Sequence, residues 1–273
     1  MGMKTRLSLL VLIPVVTATT AAWAAPAVAD GETPSTVVAR PAPQAAPAAD
    51  DPNIDRAFLE PTAMTQPAGS LTYNNYELLL HGFTYGITDR VQTSLTVLSP
   101  IVKDMPLLGI AAVKWQLLSA SRFHLALQGS AGAIHVFTGD SLSSSTSNAY
   151  LLGAGAFATY CLREDCASLV SVNASYEAGL AGGNLGNGVI FGGSIVQRLT
   201  PHVKLLGEVT GGTSKASGSD FSSIDGALVS YGVRFHTNRI ASDIGFIKPV
   251  SFSGDSGDFL LGLPFVSVSY RWD

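Results

Sequence analysis

Five histidines, His81, His124, His135, His202 and His236, are the side chains best suited to acid–base chemistry, and they do not cluster along the chain. An acyl hydrolase working at a membrane surface needs a serine and a histidine placed together. Only His135 falls at the level of the external loops, with Ser141 or Ser143 to hand, and no known motif surrounds them. Gly153-Ala154-Gly155-Ala156-Phe157-Ala158 fits the G-x-G-x-x-A spacing of a dinucleotide site. That spacing binds phosphate only at a strand-to-helix turn, and no helical pattern follows it. Glycines inside a strand more simply permit curvature or close approach. Gly254-Asp255-Ser256-Gly257 has the outline of a nucleophilic-serine segment, but Asp258 takes the place of the next glycine and no companion histidine motif exists. With Asp220 and Asp225, these acids could hold a divalent cation or an ion bridging lipopolysaccharide; solvated loop acids are the plainer reading. The expectation is therefore a chain with no catalytic, cofactor-binding or metal-binding residue, with a lipid hydrolase built on His135 as the alternative.

Cys161 and Cys166 flank the short segment Leu162-Arg163-Glu164-Asp165. In an oxidising compartment this pattern reads as a cross-hairpin disulfide, with two free thiols as the alternative. A metal site is disfavoured because no histidine or further cysteine is near in sequence. The loop closed is very short, so the bond should contribute little stability.

These residues sit on segments of period two. In the last one Val266, Val268, Tyr270 and Trp272 oppose Ser267, Ser269 and Arg271; earlier, Val229, Tyr231, Val233 and Phe235 oppose Ser230, Gly232, Arg234 and His236. Val170, Val172, Ala174 and Tyr176 likewise oppose Ser171, Asn173, Ser175 and Glu177. Short breaks (88–90, 119–122, 162–165, 200–202, 237–239) alternate with longer Ser/Gly/Asp-rich ones (99–106, 139–148, 181–188, 215–223, 253–258). That is the sequence pattern of an up-and-down antiparallel transmembrane β-barrel with tight periplasmic turns and larger external loops. Eleven strands are legible from Leu71 to the end; residues 58–66, closed by Pro67-Ala68-Gly69-Ser70, supply a twelfth. An even count puts both ends in the periplasm, and ten is the fallback.

Alternation alone does not say which face meets water. The other features favour a membrane. Lys4 and Arg6 precede an apolar run and Ala22-Trp23-Ala24, the pattern of a Sec signal peptide over residues 1–24, with a second cleavage point after Ala27-Val28-Ala29. No cysteine adjoins either point, which argues against a lipoprotein anchor. Residues 25–56 are rich in Pro and Ala and read as a disordered periplasmic tether, with a small plug as the alternative; residues 57–273 form the barrel. Charged residues are only 13% of the chain and mean hydropathy is +0.30, yet beyond the signal no apolar run is long enough for a spanning helix. A net charge of −4 gives no reason to expect nucleic acid as a partner.

Phe58-Leu59-Glu60-Pro61-Thr62-Ala63-Met64-Thr65-Gln66-Pro67-Ala68-Gly69-Ser70, Tyr76-Glu77-Leu78 and Tyr85-Gly86-Ile87-Thr88-Asp89-Arg90 resemble the opening of a group of poorly characterised bacterial outer-membrane barrels. The resemblance implies a location and an architecture, and carries no catalytic residues with it. The ending Tyr270-Arg271-Trp272-Asp273 resembles the aromatic-terminated last strand by which the barrel-insertion machinery recognises its clients, with one Asp added.

Charged and amide side chains on the polar faces, Lys114, Gln116, Glu177, Arg198, Lys204, Glu208, Arg234, Asp243 and Arg271, are the candidate lumen lining. Inward charges of both signs make either a hydrated channel or a closed salt-bridged core. The expected function is an outer-membrane barrel acting as a narrow pore for small solutes. Its alternatives are a non-conducting structural or surface-binding barrel using loop residues 141–146, or, in a different class, a soluble secreted barrel. Outer-membrane lipid and lipopolysaccharide are the expected surroundings.

Overall fold

A computed structural model of the chain describes residues 51–98, 106–138, 145–181, 184–216, 226–251 and 261–273. Asp220, Asp225, Ser141, Ser143 and the 254–258 segment lie outside them. Twelve antiparallel strands close on themselves in chain order. They are β1 (Leu71–Tyr76), β2 (Leu80–Thr88), β3 (Val91–Leu98), β4 (Leu107–Ser119), β5 (Phe123–Thr138), β6 (Ser145–Cys161), β7 (Leu169–Ala181), β8 (Asn184–Thr200), β9 (Val203–Ala216), β10 (Gly226–His236), β11 (Ile240–Ser251) and β12 (Leu263–Trp272). The seam joins β1 to β12, with Leu71 opposite Trp272, so the first and last strands share one end with the short turns.

The period-two pattern decides the inside and the outside. Val266, Val268 and Trp272 are 46%, 48% and 47% exposed on the outer face, while Ser267, Ser269 and Arg271 between them are buried. Trp115, Leu127, Val172, Ile195, Val209, Phe235 and Ile244 continue the apolar exterior around the barrel. Thr72, Gln92, Lys114, Ser171, Ser194, Ser230, Arg234 and Asp243 are buried within. This is the inverted arrangement of a membrane barrel, apolar outward and polar inward.

The number of strands agrees with the sequence reading, but their identities differ in one place. Residues 58–66, expected as the first strand, lie inside the barrel: Phe58, Ala63 and Gln66 have no exposed surface at all. The twelfth strand comes instead from splitting the stretch between Leu71 and Thr88 into β1 and β2. The turn between them contains neither Gly nor Pro, which is why it escapes a search for breakers. Glu77 and Leu78 hold it with φ of 51° and 63°. Asn75 Oδ1 accepts the Leu78 amide at 3.2 Å, and Glu77 exchanges bonds with Val266 on β12 through its amide (3.1 Å) and its carboxylate (2.6 Å). The boundary of the expected tether moves as well, because Asp51, Asn53, Asp55 and Arg56 are buried and belong to the internal segment.

That segment contributes to three of the buried hydrophobic clusters, through Ala57 and Phe58, Ala63, and Met64. Ala57 and Phe58 pack on Leu169, Val196, Leu206 and Phe265 of the wall, with the Phe58 and Phe265 rings 4.8 Å apart. The chain then leaves the lumen over β2, where a Cβ on Gly86 would stand 2.0 Å from the Pro67 carbonyl oxygen. No other residue type fits beneath that crossing.

Two outcomes test this arrangement. Val268→Arg should cost about 2–4 kcal/mol in folding from urea into lipid vesicles, the penalty for a cation on the lipid face near mid-depth; an unchanged midpoint would reject the outward assignment. Gly86→Val should leave the barrel folded by heat-modifiability on gels while exposing residues 51–67 to protease, and full protection would show that the crossing is elsewhere.

Candidate functional site

The internal segment, residues 51–67, forms a short hairpin. Its arms meet through Arg56 and Pro61, with the Ala57 amide donating to the Glu60 carbonyl at 2.8 Å and the Thr62 amide to the Asp55 carbonyl at 2.9 Å. A hairpin of this length leaves most of its peptide groups unpaired. Buried peptide groups require partners, and the barrel wall provides them by side chain.

Lys114 on β4 donates from Nζ to three carbonyls, those of Asp55, Thr62 and Met64, each at 3.0 Å. Next to it Gln116 donates to the Ala63 carbonyl at 3.0 Å. Gln92 on β3 accepts the Gln66 amide at 2.8 Å and donates to Asp55 at 3.0 Å. Thr159 on β6 accepts the Ala63 amide at 2.8 Å. Across the lumen, one oxygen of Glu208 on β9 accepts the amides of Phe58, Leu59 (2.8 Å) and Glu60 (2.9 Å). Glu60 itself, at the inner end of the hairpin, accepts from Asn173 at 2.6 Å and from Thr210.

The outer end of the hairpin is held by charge. Arg234 on β10 grips both oxygens of Asp243 on β11, through Nε at 2.7 Å and Nη2 at 3.0 Å. Its Nη1 reaches Asp51 at 3.1 Å and the Asn53 carbonyl at 3.0 Å. Lys204 on β9 holds the same Asp51 oxygen at 2.6 Å. Arg56, from the segment, completes the network with Asp243 at 3.4 Å and Ser269 at 3.1 Å, and its guanidinium lies 4.8 Å from the Tyr76 ring. Burial alone would raise the Asp51 carboxyl, but Arg234, Lys204 and His236 hold it well below the usual carboxylate range. Glu60 is pushed the other way: burial raises it, and the bonds from Thr210 and Asn173 only partly offset this.

Six of the nine side chains expected on the lining, Lys114, Gln116, Lys204, Glu208, Arg234 and Asp243, bond residues of the internal segment. The other three do something else. Glu177 is lumen-facing on β7, half-buried, with a carboxylate oxygen 2.2 Å from where a Cβ on Gly153 would be. Arg271 is buried at the seam end of β12 and bonds Asp273 at 3.1 Å. Arg198 belongs to the rim beside the short turns, where it bonds Asp165 at 3.2 Å and the Thr200 carbonyl at 3.2 Å. The sequence reading misses Asp51, Asp55, Arg56 and Glu60 because it assigns them to a tether or a strand. The signal available was the change from a Pro/Ala-rich stretch to the charged run beginning at Asp50-Asp51.

Cys161 and Cys166 form the expected disulfide. The fold adds what the spacing hides: His124 on β5 comes within 3.6 Å of the Cys166 sulfur, and Met64 of the internal segment packs on the pair. With both sulfurs in the disulfide, no thiolate is left for a metal. The G-x-G-x-x-A segment lies wholly inside β6 with strands on both sides, so it has no helix N-terminus to offer a phosphate. His135 pairs with Asn148 across β5 and β6.

No known protein family and no curated protein matches the sequence. Among solved structures the barrel is similar to OmpT, an outer membrane protein of Vibrio cholerae, at TM-score 0.41 and 11% identity over 71% of this chain and 64% of that one. A loop L8 deletion mutant of the same protein gives TM-score 0.42, also at 11% identity, over 71% of this chain and 62% of that one. This chain thus spans less than two thirds of either. The NanC porin is matched at TM-score 0.38 and 8% identity over 74% of this chain and 97% of that one.

The opposite shifts of Asp51 and Glu60 set a pH window for the hairpin. Asp51, lowered when docked, contributes above the free carboxyl value of about 4 and is lost as pH falls through its docked value. Glu60, raised when docked, works against docking as pH rises and it must ionise. Protection of the residue 58–60 amides from hydrogen exchange, relative to the intrinsic rate at each pH, should therefore be greatest in mildly acidic solution and fall toward strong acid. Asp51→Asn should weaken docking by about 3–5 kcal/mol, the range for one partner removed from a buried ion pair; exchange unchanged in the variant would refute the network's role.

Proposed function

We propose that the chain is an outer-membrane barrel closed from the periplasmic side by its own N-terminal hairpin, and that release of the hairpin opens a narrow pore for small solutes. One observation carries this reading: Lys114, Gln116, Lys204, Glu208, Arg234 and Asp243 all bond residues 51–66, and Arg234 with Asp243 is the one ion pair these six make among themselves. A lumen able to hold a peptide hairpin, lined by hydratable groups, has the width and polarity of a small-solute path once the hairpin is out. The exposed apolar exterior and the signal-like start support the outer membrane as its place, with both barrel ends toward the periplasm and the aromatic last strand offered to the insertion machinery. Lipid and lipopolysaccharide then cover the outer face. The lining groups are peptide ligands here, and the reading is non-catalytic.

A second reading, a permanently closed structural or surface-binding barrel, draws support from how fully the hairpin satisfies the groups that hold it. Planar-bilayer recordings separate the two. The whole chain should be closed most of the time, and Lys114→Met or Glu208→Ala should raise the open fraction, since each strips two or more bonds from the hairpin. Variants that fold by heat-modifiability yet remain as silent as the parent would leave the closed barrel as the function.

A further inference from the structure

We infer that the place now taken by the Asp51 carboxylate is the selective constriction of the open pore, and that the solutes it favours are small oxyanions carrying a carboxylate or phosphate group. This rests on the pore reading above.

The cradle is made by register. Arg198, Lys204 and Arg234 are direct neighbours across β8, β9 and β10, and Asp243 follows on β11. Like charges directly opposite one another on a sheet repel, so three adjacent cations at one level need counter-ions. Arg198 turns to Asp165 at the rim, and Asp243 serves one edge of Arg234. That leaves Lys204 Nζ and Arg234 Nη1, which converge on a single carboxylate oxygen at 2.6 and 3.1 Å. Both cations and the carboxylate are buried. His236, also buried, adds to the field on Asp51.

Asp51 belongs to the hairpin, not to the wall. When the hairpin leaves, Asp51, Asp55 and Glu60 leave with it against only Arg56, so three acids and one base are withdrawn. At the level Asp51 vacates, the wall keeps Lys204 and Arg234 against Asp243 alone, one cation in excess locally, while Lys114, Glu208 and Glu177 stand elsewhere along the wall. Glu208 lies four residues along β9 from Lys204, roughly 13 Å at the usual strand rise, so it does not neutralise the cradle. A guanidinium and an ammonium aimed at one point, with their carboxylate removed, form a charge-assisted oxyanion site. A permeating carboxylate or phosphate recovers the bonds that Asp51 gave up, whereas a cation meets an uncompensated Lys204 beside the free Nη1 edge of Arg234.

The test uses the full chain with Asp51→Lys, which sets a third cation against Lys204 and Arg234 and so favours release, and heat-modifiability confirms that the barrel is folded. In bilayers under a potassium chloride gradient, openings should be more frequent than in the parent, with a reversal potential on the chloride side. Adding Lys204→Gln should move that potential toward the potassium value, and inorganic phosphate or a small dicarboxylate should block chloride current in the single variant more than in the double. Openings that prefer potassium, or that ignore Lys204→Gln, overturn the anion assignment while leaving the pore intact. If Asp51→Lys produces no openings in folded protein, the pore reading itself falls and the selectivity with it.

Discussion

A peptide group shut away from water must find a hydrogen-bond partner, and in a barrel the strands have none to spare. Each strand's amides and carbonyls are committed to its two neighbours around the closed ring. Anything placed inside must therefore be held by side chains that leave the wall. Lys114 serving three carbonyls and Glu208 serving three amides are the two halves of that solution. The first offers three donors on a compact ammonium, and the second offers lone pairs on a carboxylate oxygen, so each matches a turn of chain that presents like groups to one point. The hairpin is recognised chiefly through its backbone, and Asp51, Arg56 and Glu60 add charge at its two ends.

Burying so many ions is costly, and the arrangement keeps that cost down by arranging them in alternation. Lys204, Asp51, Arg234, Asp243 and Arg56 form a chain in which an acid stands between each pair of bases. A network of this kind is weak as a source of stability but exacting about what completes it. Removing one member leaves its neighbours uncompensated, which makes the hairpin an all-or-none component.

The fold was legible from residues whose pattern is fixed by two different solvents. On β12 the alternation of Val266, Val268 and Trp272 with Ser267, Ser269 and Arg271 survives intact, because lipid and lumen impose opposite demands on successive residues. Most of the lining was legible for the same reason. What escaped was the stretch whose surroundings are not a solvent at all. Phe58-Leu59-Glu60-Pro61-Thr62-Ala63 has strand-like apolar content, but its contacts are set by individual wall side chains, and these have no period. The β1–β2 turn escaped because its left-handed residues are Glu77 and Leu78 rather than glycine. The proximity of His124 to the disulfide escaped because it is a relation between separate strands.

The hairpin's geometry bears on how such a closure can be built and undone. Asp51 sits at the level of Lys204 and Arg234, beside the short turns, and the chain departs at Pro67 over Gly86, next to the same mouth. Between them it rises only as far as Glu60, level with Thr210 and Asn173, roughly 20 Å along the strand from Lys204. The first described residue and the departure at Pro67 lie at one opening, so the described segment runs in and back as a dipped loop and does not cross the barrel from end to end. A dipped loop can be fitted after the ring of strands has closed, and drawn out again through the same mouth without opening the seam.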